Sequence, residues 1–177
     1  MKIDEAVIFS TKLKKFYFNT DEMAPLLTEI FELKNKIKKT SYFYNKNNSD
    51  YGNNYYTDYE NPAKIYEYEK LSMLINSFFQ DKDVQVLNYW TAIYNKNSWH
   101  DTHNHKTHNC NFSSILYLTN NSGGTKFFSS NSTSDMSYHF ESSEIGKFII
   151  FPSELFHNVY HNDNSERIII SSNLFIS

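Results

Sequence analysis

The sequence predicts a mainly β protein with N-terminal helices, whose strands close as a sandwich, barrel or jelly roll. Before residue 83, two stretches repeat apolar residues at helical spacing behind capping signals. After it, short runs rich in Val, Ile, Tyr and Phe alternate with turn signals. No helical pattern separates those runs, and many short strands without intervening helices build a closed β architecture.

The elements follow in order. Ala6-Val7-Ile8-Phe9 reads as a short opening strand. Asp21 is the expected N-cap of a helix over 22–39, with Pro25 tolerated in its first turn. Leu26, Ile30, Leu33 and Ile37 recur on one helical face and should meet the core. A loop rich in Asn, Ser and Tyr is expected over 40–58. Asn61 as cap and Pro62 at the first helical position open a second helix, with Ile65, Leu71, Leu74, Ile75 and Phe78 as its stripe, ending near Gln80. Strands are expected over 84–87, 89–94, 112–118, 125–128, 147–151, 158–160 and 167–175, with a turn at 120–124. No repeat or Pro/Gly/Ser linker divides the 177 residues, so one domain is expected over 1–177. Its first 83 residues would be helical support, and 84–177 the β core.

Composition excludes several classes. Charge is nearly balanced, with 17 basic against 20 acidic side chains, and no basic stripe marks a nucleic-acid footprint. The lysines of 34–39 read as the solvated face of a helix. No apolar run approaches the roughly 18 residues that span a bilayer. The N-terminus lacks a signal-peptide pattern, and the sole cysteine, Cys110, allows no internal disulfide, so a cytoplasmic protein is expected. Cys110 itself reads as a small packed residue at a strand start.

The chemistry concentrates in the histidines. Four of seven fall at positions 100, 103, 105 and 108. On a strand, His103 and His105 would project to one face and could reach one ion together. His157 lies 52 residues beyond His105, and a jelly roll can return it to the same point. Arg167 follows His157 by ten residues on an otherwise apolar strand. Imidazoles with a trailing guanidinium point to a mononuclear iron site beside an anion-binding residue. A salt bridge at the strand end is the competing reading of Arg167. For the three histidines the competing readings are a polar loop and a surface site for adventitious zinc. Tyr94 and Tyr117 could each donate a hydroxyl to the same anion, or belong to the core. Asp101 shares strand parity with His103 and is the nearest carboxylate if iron requires one. His100, His108, His139 and His161 read as surface residues or as supports for the ligands. The tyrosines of the 40–58 loop, Tyr42, Tyr44, Tyr51, Tyr55 and Tyr56, offer part of a substrate entrance, or an ordinary surface loop.

These residues resemble the iron(II)- and 2-oxoglutarate-dependent oxygenases, most closely a branch common in bacteria and phages. Phe9-Ser10-Thr11 is similar to that branch's opening, and Trp90-Thr91-Ala92-Ile93-Tyr94 to its Trp-containing strand. His103-Asn104-His105, Ser113 to Leu118, and Gly123-Gly124-Thr125-Lys126-Phe127 resemble its middle. Gly146 to His157, with Phe151-Pro152-Ser153-Glu154-Leu155-Phe156-His157, and Arg167 to Asn173 resemble its end and are the most specific part. The resemblance implies a cupin-like jelly roll, the double-stranded β-helix. It implies iron(II) on His103, His105 and His157, and 2-oxoglutarate held by Arg167 with Tyr94 or Tyr117. Dioxygen and 2-oxoglutarate would be consumed, succinate and carbon dioxide released, and an unidentified small-molecule or side-chain substrate hydroxylated. Two positions depart from the pattern. His105 stands where the wider family has a carboxylate, and Ile169 replaces the Ser expected two residues past the arginine. Two rival readings are a three-histidine cupin-type dioxygenase that does not use 2-oxoglutarate, and a non-catalytic metal-binding module of the same fold.

Overall fold

The computed structural model describes residues 2–8, 11–40, 42–44, 55–59, 69, 72–73, 75–76, 79, 82–106, 109–129, 138–160 and 165–177. Two antiparallel sheets face each other, and a helix packs on the outer face of the larger one. The strands are β1 (Lys2–Ile8), β2 (Thr11–Tyr17), β3 (Tyr42–Tyr44), β4 (Tyr55–Thr57), β5 (Val84–Tyr94) and β6 (His100–His103). They continue as β7 (Phe112–Tyr117), β8 (Asn121–Phe128), β9 (Tyr138–Ser143), β10 (Lys147–Pro152), β11 (His157–Val159) and β12 (Arg167–Ile176). The helix is α1 (Thr20–Thr40). The larger sheet runs β1-β2-β10-β7-β12-β5-β4-β3 and the smaller β6-β11-β8-β9. This is the expected jelly roll.

Strand parity builds two cores. On β12, Ile168 and Ile170 turn to the helix side, where Leu26, Ile30, Ile37, Ile93, Leu116, Phe148 and Ile150 join them. Ile169 turns the other way, among Ala92, Tyr94, Ile115, Tyr117, Ile149, Phe151 and Phe127. Both faces of the central strands are buried, which is why 148–151 of β10 and 168–170 of β12 read as unbroken apolar runs.

Several elements differ from the sequence expectation. The N-cap of α1 is Asn19 rather than Asp21. Glu22 N donates to Asn19 Oδ1 at 2.8 Å and Asn19 N donates to Glu22 Oε2 at 2.9 Å, a reciprocal capping box. Lys34 and Lys38 do not form a merely solvated face, because both pair with Glu166 at the start of β12. The N-terminal segment adds four strands to the large sheet, of which the sequence indicated only the first. The expected loop over 40–58 begins and ends in β3 and β4. The expected turn at 120–124 is largely strand, since β8 starts at Asn121 and absorbs the glycines in a register shift against β9. The expected second helix lies mostly outside the described residues, although Glu69, Ser72, Met73, Ile75 and Asn76 are helical. Among the described residues no helix is long and apolar enough to cross a membrane.

Candidate metal centre

His103 ends β6 and His157 opens β11, and the two are cross-strand partners. His105 lies just past β6 rather than on it, anchored by its N–H to the Ser153 carbonyl at 2.8 Å. One imidazole nitrogen from each of His103, His105 and His157 lies within 4.8 Å of the other two, a set that could hold a metal ion. Asp101 is outside this cluster. Its backbone carbonyl instead meets His103 Nδ1 at 2.7 Å, as the Leu155 carbonyl meets His157 Nδ1 at 3.0 Å. A carbonyl can only accept, so both Nδ1 atoms carry the proton and each Nε2 keeps its lone pair for the centre. Burial, followed by the neighbouring His103 and His105, holds the His157 imidazole well below its ordinary pKa and therefore neutral. Three imidazoles converging at one point suit a divalent transition metal. The Cys110 thiol takes no part; it is buried and donates to the His105 carbonyl at 3.3 Å.

The histidines open onto a cavity of about 500 Å³ between the sheets, within the roughly 300–1,000 Å³ of small-molecule pockets. Parity and register set its floor. Ile169 and Ser171 of β12 face inward beside their partners Ala92 and Trp90 of β5. Arg167 lies on the same face one step further along, paired across the sheet with Tyr94. Its side chain has no exposed surface and does not itself line the cavity. The guanidinium carbon sits 4.6 Å from the centre of the Tyr94 ring, which does line it. Nη1 donates to the Gly124 carbonyl at 2.7 Å, while Nε and Nη2 make no hydrogen bond among the described residues. No described carboxylate pairs with it. Burial lowers its pKa, opposed by Tyr94 and Tyr117. Burial pushes both tyrosines up to about 12, so they remain neutral hydroxyls despite the guanidinium. Tyr117 donates its hydroxyl to Thr125 Oγ1 at 2.8 Å, and Thr125 lines the cavity.

A second buried cation sharpens the contrast. Lys147, also in the interior, reaches Glu144 at 3.0 Å and Glu141 at 3.4 Å. Lys147 has its counter-charges in the fold; Arg167 has none among the described residues.

Of the cavity's aromatic wall, the sequence suggested Tyr55 as part of an entrance and His100 as a support for the ligands, and gave no role there to Tyr59 or the Trp90 side chain. Tyr55, Tyr59, Trp90 and His100 all line it. His100 stacks on His103 with ring centres 4.2 Å apart, and its Nε2 lies 3.3 Å from the Tyr55 hydroxyl. Burial and the adjacent His103, His105 and Arg167 lower its pKa to about 3. Of the tyrosines offered as an entrance, Tyr55 reaches the cavity and Tyr56 packs against the helix-side core. The side chains of Tyr42, Tyr44 and Tyr51 lie outside the described residues, as do those of His108 and His161. His139 lies apart from the centre and pairs with Glu141 at 2.5 Å.

A two-sheet jelly roll with three imidazoles converging in its cavity defines the class: a double-stranded β-helix protein with a candidate mononuclear metal centre. No protein-family model matches the chain, and no curated protein matches its sequence. Solved structures do match. A prolyl-4-hydroxylase from Pseudomonas putida is similar with a TM-score of 0.64 at 15% identity over 91% of each chain. A prolyl hydroxylase from Trichoplax adhaerens, solved with a hypoxia inducible factor peptide, gives 0.69 at 11%, covering 92% of this chain and 83% of its own. The epimerase SnoN, solved with Fe3+, alpha ketoglutarate and nogalamycin RO, gives 0.67 at 10%, covering 92% and 78%. The chain therefore has the fold shared by iron- and 2-oxoglutarate-dependent oxygenases.

Proposed function

We propose that this protein is an iron(II)- and 2-oxoglutarate-dependent oxygenase that hydroxylates an as yet unidentified substrate. The observation that carries this reading is Arg167: a fully buried guanidinium without a carboxylate partner among the described residues, beside three converging imidazoles. A buried cation needs a counter-charge, and a dicarboxylate spanning metal and arginine supplies one. His103, His105 and His157 would hold the iron, and Arg167 would pair with the far carboxylate. The Tyr94 ring supports that guanidinium, and Tyr117 orients Thr125 toward the same end of the cavity. Ile115, Val159 and Ile169 line the space between with apolar surface that excludes water. The bound iron and cosubstrate would supply dioxygen activation, 2-oxoglutarate leaving as succinate and carbon dioxide while the substrate gains a hydroxyl.

One observation favours a second reading. The donor set holds a third imidazole where the family places a carboxylate, which suits a cupin-type dioxygenase that binds its substrate on the metal without 2-oxoglutarate. Anaerobic titration of the iron(II) protein with 2-oxoglutarate separates the two. The oxygenase reading expects a visible charge-transfer band that Arg167→Ala abolishes, and succinate release that His157→Ala abolishes. No band, or one indifferent to Arg167, selects the second reading.

A further inference from the structure

We propose that Tyr55, Tyr59, Trp90 and His100 form a substrate subsite for an uncharged, ring-bearing group. This rests on the oxygenase reading only for where the reacting atom lies. The four rings form one wall of the cavity beside the histidines, and strand pairing fixes them there. β4 pairs with β5, placing Tyr55 opposite Tyr94, with their rings stacked at 4.8 Å. Just past β4, the buried Asp58 accepts the Thr91 N–H at 2.6 Å, and Asp58 N donates back to the Thr91 carbonyl at 3.4 Å. This double tie holds the following residue, Tyr59, edge-on to Trp90 at 4.9 Å. Trp90 in turn stacks on His105 at 5.7 Å. The wall is therefore coupled to the metal centre and is not a chance surface patch.

Charge selects what it takes. None of the described residues lining the cavity is Asp, Glu, Lys or Arg. A charged substrate group would lose its hydration without a counter-ion there. Aromatic faces and edges give a flat or alicyclic ring large contact area at fixed geometry. Thr57, Asn104 and Ser171 supply uncharged hydrogen-bonding groups around it. A cation held against the aromatic faces is the alternative that chemistry offers.

Ligand-observed NMR titration with four probes decides between them: indole and benzyl alcohol as uncharged rings, benzylamine as cation, benzoate as anion. Each is titrated into the full chain, alone and loaded with zinc(II) and 2-oxoglutarate, and 2-oxoglutarate binding is measured separately by calorimetry. Indole and benzyl alcohol should bind at least tenfold tighter than benzylamine or benzoate. Tyr59→Ala, at a partly exposed position outside the core, should weaken them about tenfold. Trp90→Ala should do the same, and Trp90→Phe should restore binding. Tighter binding of benzylamine, or indole affinity unchanged in Tyr59→Ala, overturns the subsite. So does 2-oxoglutarate binding without ring binding. Ring binding without 2-oxoglutarate binding overturns the oxygenase reading and leaves the subsite standing.

Discussion

A buried guanidinium with no carboxylate partner among the described residues, set against the Tyr94 ring and the Gly124 carbonyl, is held in place by its neighbours at a cost to the empty fold. Replacing an unpaired buried charge with an apolar side chain of similar length removes that cost. Arg167→Met should therefore leave the melting temperature of the ligand-free protein unchanged or raise it. The wild type should gain about 2.7 kcal/mol of stability at a 2-oxoglutarate concentration 100 times Kd, and the Met variant none. Differential scanning fluorimetry with and without 2-oxoglutarate measures both effects, and a ligand-induced shift retained in the Met variant would count against the clamp. The histidines allow an equally local test. His157→Ala deletes a donor and should lower cobalt(II) affinity by more than the ~100-fold that outer partners of metal ligands reach. Asp101→Ala should stay within about threefold, because Asp101 serves His103 through its backbone carbonyl. An Asp101 effect as large as that of His157 would restore the carboxylate to the donor set.

At the scale of elements, the register shift between β8 and β9 connects the sheet to the arginine. A methyl group built on Gly124 would lie 2.0 Å from the Glu141 carbonyl oxygen, a contact no side chain can accept. The same glycine's carbonyl receives the Arg167 hydrogen bond. Gly124→Ala must separate the two strands, costing roughly 1–3 kcal/mol or more, and should also weaken 2-oxoglutarate binding. Urea denaturation and calorimetry on one preparation check the two together. The candidate histidines and the arginine were legible as rare polar residues in their local runs, His157 after Phe151-Pro152 and Arg167 ahead of three isoleucines. The parity argument that joined His105 to His103 does not hold, because His105 lies past the end of β6 and is placed by its backbone bond to Ser153. The sequence hid β2 because its two buried apolar residues, Leu13 and Phe16, face opposite sides of the sheet, and Lys15 puts a charge on Leu13's inward face where an apolar residue would have marked the alternation. Lys15 is accommodated there by Glu141, 2.5 Å away on a strand far along the chain. The aromatic wall was hidden for a related reason. Tyr55, Tyr59 and Trp90 meet through the pairing of β4 with β5, and His100 joins them from β6 of the other sheet, so no spacing within one segment announces the wall. The α1 cap was available, since Asn19 and Glu22 stand in the capping-box spacing, but Asp21 offered a competing Asx residue two positions on.

Across the whole molecule, two ionic clusters tie the N-terminal elements to the jelly roll, and both carry an acid dependence. Glu166 draws Lys34 and Lys38 of α1 onto the start of β12. Glu141 of β9 binds Lys15 of β2 and Lys147 of β10. Burial opposes ionisation of both glutamates, yet their lysines, with His139 at Glu141, hold each carboxyl below the ordinary 4.5. A carboxyl whose folded pKa is depressed stabilises the protein fully above its unfolded value and loses that contribution as pH falls through the folded one. Stability should therefore be flat in this respect from neutral pH down to about 5, then fall as the medium is taken below 4.5. Glu141→Gln tests whether the interior cluster dominates. At pH 7 it leaves Lys147, 2% exposed, with the solvent-facing Glu144 as its one carboxylate among the described residues, and removes the carboxylate paired with Lys15. Breaking a buried pair by deleting one partner costs about 3–5 kcal/mol, so the variant should be less stable at neutral pH and show a shallower loss in acid. The surface-side Glu166→Gln should cost far less at pH 7, because its lysines remain hydrated. Chemical denaturation of the three proteins at pH 7, 5 and 3.5 separates the contributions. Equal neutral-pH losses for the two variants would mean that the interior cluster is no more than another surface pair.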